Sequence, residues 1–164
     1  MCRLTERGIR ERLKEGEAME YYVKEFKEFT LEELYEILKL RSDVFVVEQN
    51  CVYPDIDGTD YDALHFYLKA ENGIAAYLRV FPIKEGVFQI GRVVTREHGK
   101  GYGGKLMEFS LPLIEEKLQP KEIVMEAQVY AIGFYEKYGF QVCSEEFPED
   151  GIPHVKMKRV YKRD

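Results

Sequence analysis

The chain is poor in cysteine, has no long apolar run and carries no excess of positive charge. Cys2, Cys51 and Cys143 are odd in number, widely separated and without a C-x-x-C pair. That argues against a disulfide framework and against a zinc site, and makes a reducing cytoplasm the expected location. No apolar stretch approaches the roughly 20 residues of a membrane span, and the first residues lack the apolar core of a signal peptide, so neither membrane insertion nor secretion is expected. Thirty acidic against twenty-four basic residues leave a net charge of −6. This balance disfavours nucleic acid as a partner and suits a cationic one.

What is present is a chain of 164 residues with 45% hydrophobic content, enough for one substantial core. Residues 1–19 form a charged extension, expected to be a surface helix or loose, and translation from Met19 is an alternative start. Residues 20–162 read as a single domain. Imperfect alternation predicts a strand from Tyr21 to Phe29. Thr30 with Glu33 three residues on is a capping box, opening a helix whose apolar face runs to about Val47. A loop follows around Gly58. Strands at 64–71 and 74–81 are joined by Asn72-Gly73, a strong hairpin signal. A further strand covers 87–95, a helix Lys105–Leu118 with a kink or break at Pro112, a buried strand 122–127, a short helix 131–138, and closing strands 140–146 and 154–160. This order describes a mixed α/β domain without internal repeats.

Between the 87–95 strand and the next helix lies His98-Gly99-Lys100-Gly101-Tyr102-Gly103-Gly104. Glycines reach positive φ without penalty and let a ligand lie against the main chain, and a helix start adds unpaired N–H groups and a positive dipole end. Such a loop can cradle a phosphate. It can equally be a plain turn. Gly99-x-Gly101-x-x-Gly104 also fits the dinucleotide fingerprint, with Glu126 imitating the ribose-binding acid, but the glycines start too far beyond the strand and too little chain remains for the other parallel units. A nucleoside triphosphate loop fails because Leu106, not Ser or Thr, follows Lys105.

Combined with Ala131-x-x-x-Tyr135-Glu136-Lys137-Tyr138-Gly139-Phe140, the glycine loop resembles the GNAT family of acetyl-CoA-dependent N-acetyltransferases. The stretches Leu40-Arg41-x-x-Val44-Phe45-Val46-Val47-Glu48-Gln49, Tyr53-x-x-Ile56-Asp57-Gly58-x-Asp60 and Asp150-Gly151-Ile152-Pro153-His154 resemble its ElaA-type branch. The resemblance implies an α/β (mixed α+β) fold with a central mixed sheet of about six to seven strands flanked by helices, splayed open between the 88–95 and 123–127 strands. It further implies that the pantetheine arm of acetyl-CoA lies along Val93, Val94 and Thr95, and that the pyrophosphate sits on His98, Gly99, Lys100, Gly101, Tyr102, Gly103 and Gly104, with no metal. The family usually has Arg or Gln where His98 stands, and the approach from Thr95 is shorter here.

Direct aminolysis of a thioester needs a neutral amine, a polarised carbonyl and a proton for the leaving thiolate. Tyr135 reads either as a core aromatic or, by the resemblance, as the acid that protonates the sulfur. Glu126 and His154 are candidates for the base, Glu126 as a buried carboxylate that could instead pair with an arginine such as Arg92. Glu48 and His65 are further candidates near the acceptor. Asp55, Asp57, Asp60 and Asp62, with no basic residue among them, are a solvated turn, a calcium loop that lacks the Glu an EF-hand has at its twelfth position, or an acidic rim for a cationic amine, which the resemblance favours; Asp57 and Asp60 are its acceptor-binding candidates. The expected function is acetyl transfer to a primary amine of a small molecule or peptide by a monomer or homodimer. The alternative is a non-catalytic acyl-CoA-binding or sensing module.

Overall fold

The computed structural model describes residues 3–5, 8–12 and 18–162. In chain order they form β1 (Arg3–Thr5), β2 (Gly8–Arg12), β3 (Ala18–Glu25), α1 (Leu31–Arg41), β4 (Leu64–Ala70), β5 (Gly73–Lys84), β6 (Val87–Thr95), α2 (Tyr102–Leu118), β7 (Glu122–Gln128), α3 (Ile132–Glu136), β8 (Gln141–Val142), β9 (Phe147–Glu149) and β10 (Ile152–Val160). The strands make one mixed sheet in the order β1-β2-β3-β4-β5-β6-β7-β10-β8, with β9 paired to β10. The expectation of a helical or loose segment at 1–18 is corrected, since β1 and β2 continue the sheet beyond β3. Among the described residues the sheet therefore has ten strands, more than the six to seven expected.

Two cores cover the two faces, and the strand period of two decides which residue goes where. Phe66, Leu68, Leu78 and Ile90 pack with Leu106, Met107, Leu111 and Ile114 of α2. Tyr67, Tyr77 and Val94 point the other way and pack with Ile37, Leu40 and Val44. The capping box at the start of α1 is present, with Thr30 Oγ1 accepting from Glu33 N–H at 3.1 Å and Glu33 Oε2 accepting from Thr30 N–H at 3.0 Å. α1 does not stop at Arg41 but runs on as a π-helix, Ser42–Glu48. Pro112 neither ends nor interrupts α2. It lies on the exposed side of the helix, as does Glu108 four residues earlier, so the carbonyl deprived of its N–H partner faces water. The hairpin turn closes one residue earlier than expected: Ala70 pairs with Gly73, which leaves Glu71-Asn72 as the loop and Gly73 at φ +106°.

β6 and β7 run parallel but pair only at Val87 with Glu122, Phe88 with Ile123 and Gln89 with Val124. Beyond these pairs the strands part, as the resemblance implied. The register of β6 against β5 also shifts, between Tyr77–Val94 and Arg79–Gly91, and Arg92 sits in the bulge with φ +53°. A bulge of this kind bends a strand and re-aims its groups, here where β6 leaves β7.

Candidate active site

The gap between β6 and β7 opens onto the glycine loop. Gly99 and Gly101 hold φ of +76° and +74°, and a Cβ built on either would meet nothing within 4 Å. The space in front of the loop is therefore open, and only glycine takes this backbone there without strain. Gly101 is the N-cap of α2, and Lys105 N–H donates to its carbonyl at 3.2 Å. The first-turn N–H groups of Tyr102, Gly103 and Gly104 have no acceptor within the helix. Gly103 and Gly104 are small for another reason: Cβ atoms there would meet Phe134 and Thr95 at 3.5 and 3.6 Å, and the Tyr138 hydroxyl at 3.0 Å. Backbone donors arranged in this way can hold an anionic group such as a pyrophosphate, and among the described residues no group of His, Cys, Asp or Glu could hold a metal ion.

Val93 and Thr95 are partly exposed, whereas Val94 is buried against α1's core, so Val94 can contribute main-chain groups only. His98 lies beside Glu48. Its Nε2 lies 2.7 Å from Glu48 Oε1, which ties the glycine loop to the end of the π-helix. Two residues predicted separately, for cofactor and acceptor, thus meet. Lys100 is an exposed side chain, 3.8 Å from Glu97.

Tyr135 is buried at 8% exposure, ringed by Phe134 and Phe140. Burial, with a smaller contribution from Tyr130, pushes its hydroxyl pKa well up, so it keeps its proton at neutral pH. Glu126, expected to be buried, is exposed on the wall that β7 forms after parting from β6. It does not pair with Arg92, whose guanidinium is taken by Asp55 and Asp57. His154 is buried at 8% exposure, and its Nδ1 lies 2.7 Å from the Ile152 carbonyl. That geometry makes Nδ1 the donor and leaves Nε2 aimed at Glu149 Oε2, 3.6 Å away.

The reading of Asp57 and Asp60 as an acidic rim for the acceptor, and of His65 as a candidate near it, is corrected. Arg41, 1% exposed, binds Asp55 Oδ2 at 2.9 Å and Asp60 Oδ1 at 2.7 Å. Arg79, 2% exposed, binds Asp57 Oδ2 at 2.7 Å and Asp60 Oδ1 at 2.9 Å. Burial alone would raise the Asp60 pKa, but the hydrogen bonds and charges of Arg41 and Arg79 hold it down. The hydrogen bond from Arg79 holds Asp57 far below the usual carboxylate range. His65 is 1% exposed and sits between the Tyr77 hydroxyl, at 2.6 Å, and the Asp60 carbonyl, at 2.8 Å. These carboxylates are neutralised from beneath. The arginines come from positions far along the chain, so the local acidic run concealed them. One signal was available: Arg79 interrupts the otherwise apolar run Ile74–Phe81.

His65 also makes the fold sensitive to acid. Burial lowers its pKa from 6.5, so the unfolded chain binds more protons below that pH. Its stabilising contribution is complete above about pH 6.5 and is lost as pH falls from there toward the folded value. Wild-type Tm should therefore drop between neutrality and mild acid, while in His65→Gln that part of the drop should be missing. Asp57 and Asp60, also depressed, act with the same sign only at lower pH. Identical Tm profiles of the two proteins would contradict the buried neutral imidazole.

Residues 23–161 match the family model described as an acetyltransferase (GNAT) domain. A UPF0039 protein of Schizosaccharomyces pombe is 41% identical over 144 residues, 85% of this chain and 96% of its own. Among solved structures, an acyl-CoA N-acyltransferase from Pseudomonas aeruginosa is similar with a TM-score of 0.80 at 38% identity, over 85% of this chain and 99% of that one. Escherichia coli ElaA also gives a TM-score of 0.80, at 35% identity, over 86% of this chain and 99% of that one. Two distant structures at a TM-score of 0.59 share the fold, one with acetyl-CoA bound and one in complex with CoA.

Proposed function

Since the chain belongs to the GNAT acetyltransferase family, in its ElaA-like branch, we propose that it moves an acetyl group from acetyl-CoA directly to a primary amine of a small molecule or peptide. The observation that carries this reading is the parting of β6 from β7 above a glycine loop with open space in front of Gly99 and Gly101. An acyltransferase needs such a slot, because the long pantetheine arm must enter between strands and present its end to a second substrate.

When bound, acetyl-CoA supplies the activated acetyl thioester. The chain supplies the rest. Main-chain groups of Val93, Val94 and Thr95 line the parted edge of β6, which no longer bonds to β7 there. They hold the arm as an added strand would be held, and one N–H polarises the thioester carbonyl. Backbone N–H groups from Gly99 to Gly104 hold the pyrophosphate at the start of α2. The Glu48–His98 contact keeps the loop against the π-helix. Tyr135, protonated through neutral pH, donates to the departing sulfur. On the other wall Glu126 and His154 are the candidates for the base that frees the amine. The free thiols of Cys51 and Cys143 suit a cytoplasmic protein. Among the described residues no helix is long and apolar enough to cross a membrane.

Binding is tested by thermal unfolding. Acetyl-CoA at about a hundred times its Kd should stabilise the protein by about 2.7 kcal/mol, and NAD should not stabilise it. Gly101→Val should abolish the acetyl-CoA effect, since valine at φ +74° is strained and its side chain would occupy the space before the loop. A shift with NAD alone would sink the assignment.

A further inference from the structure

The strained point of β6 is Arg92. Tyr77 pairs with Val94 and Arg79 with Gly91, so Leu78 stands opposite both Arg92 and Val93. The extra residue inverts the alternation of the strand. Ile90 and Val94, four residues apart, would share one face of a regular strand, yet Ile90 packs in the α2 core and Val94 in the α1 core, while Val93 turns to the α2 side. Residues 93–95 thus owe their orientation to the bulge. Its first residue takes φ +53°, a conformation that glycine adopts freely in bulges of this kind and that an L side chain adopts only under strain.

An arginine persists there because its side chain is held from outside the strand. Arg92 Nε donates to Asp55 Oδ1 at 2.9 Å, and Nη2 donates to the Asp55 carbonyl at 3.1 Å and to Asp57 Oδ2 at 3.4 Å. The guanidinium carbon lies 5.2 Å from the centroid of the Tyr53 ring. These partners are themselves fixed. The buried Arg41 donates to Asp55 Oδ2 and to the Asp55 carbonyl, the Tyr53 hydroxyl donates to Asp55 Oδ1, and Arg79 donates to Asp57. Backbone strain survives where its surroundings over-determine it, and this anchor does so from the far side of the bulge.

We propose that Arg92 is a positioning residue for acyl-CoA: its tether to Asp55 and Asp57 holds the β6 bulge at positive φ, and so sets the main chain of residues 93–95 to receive the pantetheine arm. This rests on the acyl-transfer reading. The guanidinium itself is occupied by the 53–57 loop and acts through the backbone. The extra residue stays in β6 whatever side chain stands at 92, because the pairs on both sides fix the register. What the side chain decides is the conformation of the bulge. Without the tether a residue other than glycine relaxes toward negative φ, and the N–H groups that follow are re-aimed.

The test compares wild type with Arg92→Met, Arg92→Gly and Arg92→Lys on the full chain, using calorimetric titration with acetyl-CoA and with CoA, and Tm. Methionine and glycine lose the same contacts with Asp55, Asp57 and Tyr53, so a difference between them reports the backbone at 92 and not the loop. Arg92→Met should weaken both ligands by about tenfold. Arg92→Gly should recover most of that loss, and more of it than Arg92→Lys, which keeps the charge but remains an L residue without the arginine fork. In the free protein, the backbone amide resonances of residues 93–95 should move in Arg92→Met and return toward wild type in Arg92→Gly. Wild-type affinity in Arg92→Met, glycine as weak as methionine, or rescue by lysine and not by glycine each overturns the proposal. Failure of acetyl-CoA to bind wild type would instead overturn the acyl-transfer reading, and the amide resonances, which need no ligand, separate the two.

Discussion

Arg41→Met should destabilise the protein by about 3–5 kcal/mol, seen as a large fall in the midpoint of chemical denaturation at neutral pH. The reason lies in what the arginine leaves behind. Arg41 sits at the junction of α1 and the π-helix and donates to Asp55 Oδ2, the Asp55 carbonyl and Asp60 Oδ1. Asp55 and Asp60 are 8% and 6% exposed, so removing the guanidinium leaves carboxylates buried with only part of their compensation. Methionine fills the space of the stem but supplies no donor. Lysine should not rescue fully, because a single ammonium cannot copy the planar fork that reaches two carboxylates and a carbonyl. Arg92→Met should cost less, since Arg92 is only partly buried and its exposed contacts with Asp57 are replaceable by water. Equal costs at the two positions would show that the buried network is not what holds the 53–62 loop to the sheet.

Tyr135→Phe should lower kcat by about a hundredfold or more while leaving acetyl-CoA affinity close to wild type. The ring packs with Phe134 and Phe140, and phenylalanine retains that packing. What is lost is the proton for the sulfur, which matters after the acyl group has been attacked and not when the thioester binds. Steady-state kinetics with direct binding of acetyl-CoA reads both quantities. A mutant with unchanged kcat would show that Tyr135 is a core aromatic and nothing more.

The fold was legible wherever a local signal repeats or punctuates. Thr30 and Glu33 set the start of α1, Asn72-Gly73 set a hairpin within one residue, and the glycine run marked where α2 begins, at Tyr102 instead of the expected Lys105. The parting of β6 and β7 came from the family resemblance, since no residue in either strand announces where pairing stops. One failure comes from distance along the chain, the others from the strands themselves. Asp57 and Asp60 looked uncompensated because Arg41, Arg79 and Arg92 reach them only after folding. Glu126 looked buried because its strand is apolar, yet the period of two turns it outward while Met125 and Ala127 face the core. Glu149 gave no sign at all, and only a three-residue strand paired with β10 brings it to 3.6 Å from His154. The charge-rich first eighteen residues hid β1 and β2 for a different reason: strands near a sheet edge carry charge, and their apolar alternation is weak.

The most direct test of acyl transfer to an amine is the release of free CoA thiol from acetyl-CoA carrying a 13C-labelled acetyl group, followed with a panel of primary amines. Thiol release that depends on a particular amine, with the label recovered on its nitrogen and the rate cut by Tyr135→Phe, is the predicted result. Acetyl-CoA that binds and stabilises the protein while no amine ever draws the label away would contradict it, and would make the slot between β6 and β7 a site for holding acyl-CoA.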